Sequence, residues 1–111
     1  MPTLFTRIIE GEIPSTRVWE DDRCIAFRDI NPTAPTHVLV VPRQVITRLD
    51  QMTDADEALV GHLMHVAAQV ARQEGLNDFR CVLNNGAGAG QSVFHLHVHV
   101  IGGRSLSWPP G

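Results

Sequence analysis

Three histidines, His95, His97 and His99, stand at alternate positions, with Leu96 and Val98 between them and Val100 and Ile101 after them. Strict alternation with β-branched residues predicts a strand over 92–103. Residues two apart on a strand point to the same side. The three imidazoles therefore share one face, and Leu96, Val98 and Val100 supply the opposite, core-facing one. Such a face has three uses: a half-exposed strand that happens to carry histidine, a metal site, or an anion site with a histidine nucleophile. Imidazole is the commonest zinc ligand, and catalytic sites of three histidines exist. However, positions i, i+2 and i+4 spread over about 13 Å of strand, which strains convergence on one ion at bond lengths of about 2 Å. No acidic residue lies close by in sequence to complete a set. The anion reading gains from the stretch before the strand, Asn84 to Ser92, which alternates glycine with alanine at 86–90. Small residues let backbone N–H groups approach an anion closely, and Ser92 adds a hydroxyl donor.

The run His95-Leu96-His97-Val98-His99-Val100-Ile101 matches the His-x-His-x-His-x-x pattern, with apolar x, and resembles the histidine triad family. Phe27 to His37, Gly90-Gln91-Ser92-Val93, Gly102-Gly103-Arg104 and Trp108-Pro109-Pro110-Gly111 are similar to its Hint branch, the purine nucleoside phosphoramidases. The match runs from about Phe5 to Gly111 in the family's order and spacing.

The resemblance implies a HIT-like α+β fold, an antiparallel sheet of about five strands with one long and one short helix, continuous across a homodimer. It implies hydrolysis of the P–N bond in purine nucleoside phosphoramidates through a nucleotidyl-histidine, with no metal or other cofactor. His97, the middle histidine, becomes the nucleophile; it is also the one flanked by neighbours on both sides. His95 supports the site, and His99 stabilises charge on the phosphoryl oxygens. His37 is a fourth imidazole that positions or protonates. Ser92, Asn84, Gln91 and His99 meet the phosphate, Asp29 the ribose, and Phe27 and Ile30 sandwich the base. The helix carrying Phe5 and Ile8 lines the base pocket, and Trp108 docks over the partner's site. Val45 departs from the family, where many relatives carry histidine; that position is peripheral. Three alternatives stand beside this reading: a dinucleoside polyphosphate hydrolase, a non-catalytic nucleotide-binding protein and a zinc-binding module. The Gly-Gly and Trp-Pro-Pro-Gly ending speaks against the first, and the intact triad against the second.

Other elements must position these side chains. Apolar residues at 4, 5, 8 and 9 predict a short helix over 3–10, capped by Thr3 and ended by Gly11 and Pro14. Strands are expected at 16–20 and 23–28, joined by an Asp21-Asp22 turn. Asp29 closes the second; a carboxylate there can end a strand or accept a ribose diol. Asn31 to Pro35 form a loop stiffened by two prolines, and a strand follows from His37 to Pro42. One long helix is predicted over 54–74, opened by a Thr53–Asp56 capping box and stopped by Gly75. Its stripe is Leu59, Leu63, Val66 and Val70, widened by Val60, Met64, Ala67 and Ala71. At 100° per residue His62 and His65 fall off that stripe and read as solvent-facing. A strand over 79–84 delivers Asn84 to the glycine-rich loop.

The chain has 111 residues, 43% of them apolar, and a net charge of −3. That length suits one domain over 1–111 with a core of its own. Without a basic run the chain is not expected to bind nucleic-acid polymers through their phosphates; a mononucleotide needs only a local anion site. No signal peptide and no apolar run near the length of a membrane span are present, so a cytoplasmic protein without a membrane partner is expected. Cys24 and Cys81, both in predicted strands, are expected to be buried, reduced thiols.

Overall fold

The computed structural model describes residues 2–111. Strands β1 (Arg17–Glu20), β2 (Cys24–Arg28), β3 (Thr36–Pro42), β4 (Phe79–Val82) and β5 (Val98–Gly102) form one antiparallel sheet in the order β1-β2-β3-β5-β4. Helices α1 (Leu4–Ile9) and α2 (Glu57–Gln73) complete an α+β fold with one short and one long helix. No helix of the described residues is long and apolar enough to cross a membrane.

The two faces of the sheet are covered unequally. Cys24, Ala26, Val38, Val40, Val98 and Val100 point one way, onto Leu63, Val66, Ala67 and Val70 of α2. Ile25, Phe27, Leu39 and Val41 point the other way, onto Phe5 and Ile8 of α1. Cross-strand partners lie on the same side, and Leu39 pairs with His99 while His37 pairs with Ile101. His37 and His99 therefore share the α1 face. A helix of 6 residues is about 9 Å long, too short to roof five strands.

Thr3 caps α1 in a reciprocal box with Thr6: Oγ1 of Thr3 accepts from the Thr6 amide at 3.0 Å, and the Thr3 amide donates to Thr6 Oγ1 at 3.2 Å. Of the four apolar positions, Phe5 and Ile8 are buried, whereas Leu4 is half exposed. The Thr53–Asp56 box is present, but residues 54–56 form a 3-10 turn, so α2 proper begins at Glu57. Gly75 ends the helix at φ 73°, a backbone conformation that glycine adopts without strain.

Three sequence expectations need correction. The triad strand is shorter than 92–103: only Val98 to Gly102 join the sheet. Its partner β3 ends at Pro42, and the Leu96 amide instead donates to the Ile46 carbonyl at 2.7 Å. The fourth strand stops at Val82 rather than Asn84. His62 is not solvent-facing: its side chain is 13% exposed, and Nε2 lies 2.7 Å from Asp21 Oδ2 in the β1–β2 turn. His65 is exposed, as expected. Cys24 is buried and Cys81 half-buried, and both are free.

Candidate active site

The hydrogen bonds determine which nitrogen of each imidazole carries a proton. A carbonyl only accepts, so His95 Nε2, 2.7 Å from the Pro42 oxygen, must be an N–H. His95 is completely buried, and that burial lowers its pKa, so the ring is neutral near pH 7 and Nδ1 is a lone pair. Thr3 Oγ1 donates to that lone pair at 2.7 Å. The His95 carbonyl in turn accepts from His97 Nδ1 at 2.8 Å. His97 is also buried, which pushes its pKa down against the opposing pull of the His95 carbonyl and the Asp29 charge. Neutral His97 with its proton on Nδ1 leaves Nε2 as a free lone pair.

A second relay leads to His99. The Thr33 amide donates to His37 Nδ1 at 3.1 Å, which puts the His37 proton on Nε2. That N–H donates to His99 Nδ1 at 2.8 Å, so the His99 proton stands on Nε2. Burial, and then the neighbouring His97 and His37, lower the His99 pKa to about 4. Near neutral pH the site therefore presents a lone pair at His97 Nε2 and an N–H at His99 Nε2, on rings whose centroids are 5.0 Å apart. Neither atom has a hydrogen-bond partner among the described residues. Since no buried side-chain nitrogen or oxygen lacks one among the described residues, both atoms open onto accessible space. Phe5 backs the nucleophile candidate edge-on, 4.9 Å from His97 at 84°.

The other predicted site residues are placed as follows. Asp29 Oδ2 is 3.5 Å from His37 Nε2, and Oδ1 accepts the Asn31 amide at 2.8 Å. Asp29 and Ile30 line a cleft of about 350 Å³ with Pro14, Ser15, Thr16 and Arg28. Ile30 is 88% exposed at its rim, whereas Phe27 is buried against Phe5, ring centroids 5.7 Å apart. Ile8 is packed in the same cluster. Ser92 is exposed at the end of the glycine-rich loop, and Asn84 is half-buried at its start. Gln91 is different: its side chain is buried, accepts the Gly86 amide at 2.7 Å and donates to the Thr47 and Val93 carbonyls. Both amide hydrogens are taken, so Gln91 shapes the loop and has no side-chain donor free for a phosphate. Gly86 and Gly90, at φ 94° and 96°, make the bends that this brace closes. Trp108 is 81% exposed on a tail held by Arg80, which donates to the Ser107 carbonyl at 2.8 Å.

Sequence reasoning missed three participants: the Thr33 amide, the Pro42 carbonyl and the Thr3 hydroxyl. The first two are backbone atoms with no side-chain signature. Thr3 was visible only as a helix cap, and it lies 92 positions from His95.

Among the described residues two groups of potential metal donors exist, Asp29–His37–His99 and Asp21–Cys24–His62. Neither fits a resident cation. In the first, the facing nitrogens of His37 and His99 share a proton at 2.8 Å, closer than two ligands of a tetrahedral zinc would stand. In the second, the Arg23 guanidinium lies 3.1 Å from His62 Nδ1 and sets a positive charge beside the site. Burial, followed by the Asp21 charge, pushes the Cys24 thiol up to about 12.

The HIT domain family matches residues 10–106. An uncharacterized HIT-like protein of Synechocystis sp. is 54% identical over 98% of this chain and 96% of its own. A 14 kDa zinc-binding protein of Zea mays is 50% identical over 99% of this chain and 88% of its own. The crystal structure of a HIT family hydrolase from Legionella pneumophila superposes with a TM-score of 0.96 at 44% identity, covering 99% of this chain and all of that one. With a family match over most of its length and the fold of a HIT family hydrolase, the chain belongs to the HIT domain family.

Proposed function

We propose that the protein is a nucleoside phosphoramidase of the Hint branch, hydrolysing the P–N bond of purine nucleoside monophosphate conjugates through a nucleotidyl-His97 intermediate. The observation that carries this reading is the pair of open nitrogens, a lone pair on His97 beside an N–H on His99, each held in its tautomer by a bond on the far side of the ring. His97 Nε2 attacks the α-phosphorus, and a new N–P bond forms as the bond to the amine breaks. A neutral imidazole approaches an anionic phosphoryl group without the repulsion that a carboxylate or thiolate meets. His99 Nε2–H and Ser92 stabilise charge on the phosphoryl oxygens. His99 Nε2–H hydrogen-bonds the leaving nitrogen and passes to it a proton drawn from solvent at the open site, while His37, with Nδ1 occupied by a backbone amide, holds and orients His99. Water then attacks phosphorus and releases a proton to solvent, matching the one the amine took up, as the His97–P bond breaks and nucleoside monophosphate leaves. Asp29 accepts the ribose hydroxyls, Asn84 contacts the phosphate or ribose, and the base sits over the Phe5, Ile8 and Phe27 cluster with Ile30 as its outer wall.

The active form in this reading is a homodimer whose sheet continues from one copy to the other. β4 is an edge strand with Phe79 40% exposed, Met64 on α2 is 45% exposed, and Trp108 stands out on its tail. A second copy would cover all three. Sedimentation equilibrium at micromolar concentration tests this: a monomer refutes it, and with it the cross-subunit role of Trp108.

The function is tested by rapid quench during turnover of adenosine phosphoramidates, followed by peptide mass spectrometry. The adduct is expected on His97; finding it on His95 or His99 overturns the assignment. A zinc-dependent reading draws on the name of the Zea mays relative. It predicts that turnover is lost on exhaustive chelation and restored by zinc, whereas the proposal here predicts that turnover survives.

A further inference from the structure

We propose that Thr3 is a positioning residue for the nucleophile: its hydroxyl fixes the His95 ring, and the His95 carbonyl fixes His97. The inference rests on the phosphoramidase reading for its kinetic part only. Three observations carry it. Thr3 Oγ1 lies 2.7 Å from His95 Nδ1, shorter than either of its bonds within the α1 cap. His95 has no solvent to fall back on, since it is wholly buried, and both of its ring nitrogens are spent, one on Thr3 and one on the Pro42 carbonyl. The backbone oxygen of that same residue is the sole partner of His97 Nδ1 among the described residues.

Thr3 is thus shared between two tasks. Its oxygen accepts the Thr6 amide to start α1, and its hydrogen points to His95. The hydroxyl cannot rotate away without leaving a buried lone pair unsatisfied, a cost that cores rarely carry. The same short helix also carries Phe5, whose ring backs His97 at 4.9 Å. α1 therefore sets the triad at two points, one polar through His95 and one apolar on His97. With the ring anchored at both nitrogens, residue 95 is held as a unit, and so is the carbonyl that aims the His97 lone pair; attack on phosphorus depends on that direction.

The test compares Thr3→Val, Thr3→Ser and Thr6→Val in the full-length protein. Thr3→Val removes the hydroxyl, Thr3→Ser retains it, and Thr6→Val breaks the reciprocal cap while leaving the Thr3–His95 bond. Long-range proton–nitrogen correlation spectra report whether His95 Nδ1 is a bonded or a free lone pair. In Thr3→Val its resonance should move toward that of an unbonded nitrogen, and stay in place in the other two. With an adenosine phosphoramidate, kcat should fall about 10-fold in Thr3→Val while the Kd for AMP changes little, and Thr3→Ser should recover most of the rate. An unmoved His95 signal in Thr3→Val, or equal damage from Thr6→Val, overturns the proposal and reduces Thr3 to a cap. Absence of any turnover in the parent protein counts against the phosphoramidase reading instead, and the His95 spectra still decide the role of Thr3.

Discussion

Two clusters of the molecule pair an aspartate with a histidine, and they end differently. In the first, Asp21 Oδ1 accepts the Arg23 and Cys24 amides, Oδ2 accepts the Trp19 indole N–H at 2.9 Å, and His62 stands 2.7 Å away with its other nitrogen against Arg23. The polar side-chain atoms of Trp19, Asp21 and His62 all find partners inside the protein, and the cluster ties α2 to the β1–β2 turn. In the second, Asp29, His37 and His99 form a chain that starts from a backbone amide and finishes at an open N–H, next to the open lone pair of His97. Residue types alone do not separate a tie from a site. What separates them is whether the last atom of the network points into protein or into space.

The sharpest break of this contrast is His97→Ala. Loss of the nucleophile should cut kcat by at least about 10³-fold, while AMP binding, measured by calorimetry, persists because Asp29, Ser92 and His99 remain. Near-normal turnover would end covalent catalysis at His97. Asp29→Asn should act less severely and on recognition. A charge-assisted hydrogen bond contributes roughly 1.5–3 kcal/mol, so kcat/KM for a ribonucleotide substrate should fall about tenfold or more, with a smaller loss for its 2′,3′-dideoxy analogue; equal losses would remove Asp29 from the ribose.

The closed cluster should respond in the opposite sense. Asp21→Asn turns an amide NH₂ or its oxygen toward two N–H donors that need acceptors, and cannot satisfy all of them. A loss of about 2 kcal/mol is expected, read as a fall of roughly 8 °C in Tm, with turnover at 25 °C unchanged. A catalytic defect without a stability defect would refute the division drawn between the clusters.

The smallest effect separates the two by pH. His95, His97 and His99 all have lowered pKa values, led in each case by burial. The unfolded chain then binds more protons than the folded one, so stability falls as pH drops from the ordinary histidine value of about 6.5 toward the His99 value of about 4. At Asp21 burial pushes the other way, but bonds from Trp19, His62 and two amides outweigh it and hold the carboxyl far below the usual range. Its contribution is complete above the unfolded carboxylate value and is lost only in stronger acid, as pH falls through the folded value. Melting curves of the parent and Asp21→Asn should therefore run parallel between pH 6.5 and 4 and converge below. Divergence within the upper window would show the clusters to be coupled.

Much of this was legible in the sequence. Both helices, the Thr3 cap and all five strands follow from periodicity and turn residues, and the shared face of the three imidazoles follows from alternation. Where inference failed, the cause was a partner distant along the chain. A helical projection measures how far His62 lies from the apolar stripe, but not that the hairpin turn brings a carboxylate over that flank. Alternation extended the triad strand to Ser92, but the ladder needs a partner, and β3 ends at Pro42. Gln91 reads as a polar residue in an anion-binding loop; only the fold reveals that its amide is already committed.

Gln91 has one more consequence. A single buried side chain bonds the loop from Gly86 to Val93 at two points and anchors it to the Thr47 carbonyl. Loops that await their ligand to become ordered lose conformational entropy at the moment of binding and give up affinity for it. Here that ordering belongs to folding. On the phosphoramidase reading proposed above, an arriving phosphate would meet a cradle already shaped, with more of the contact energy left to act on the reacting bond.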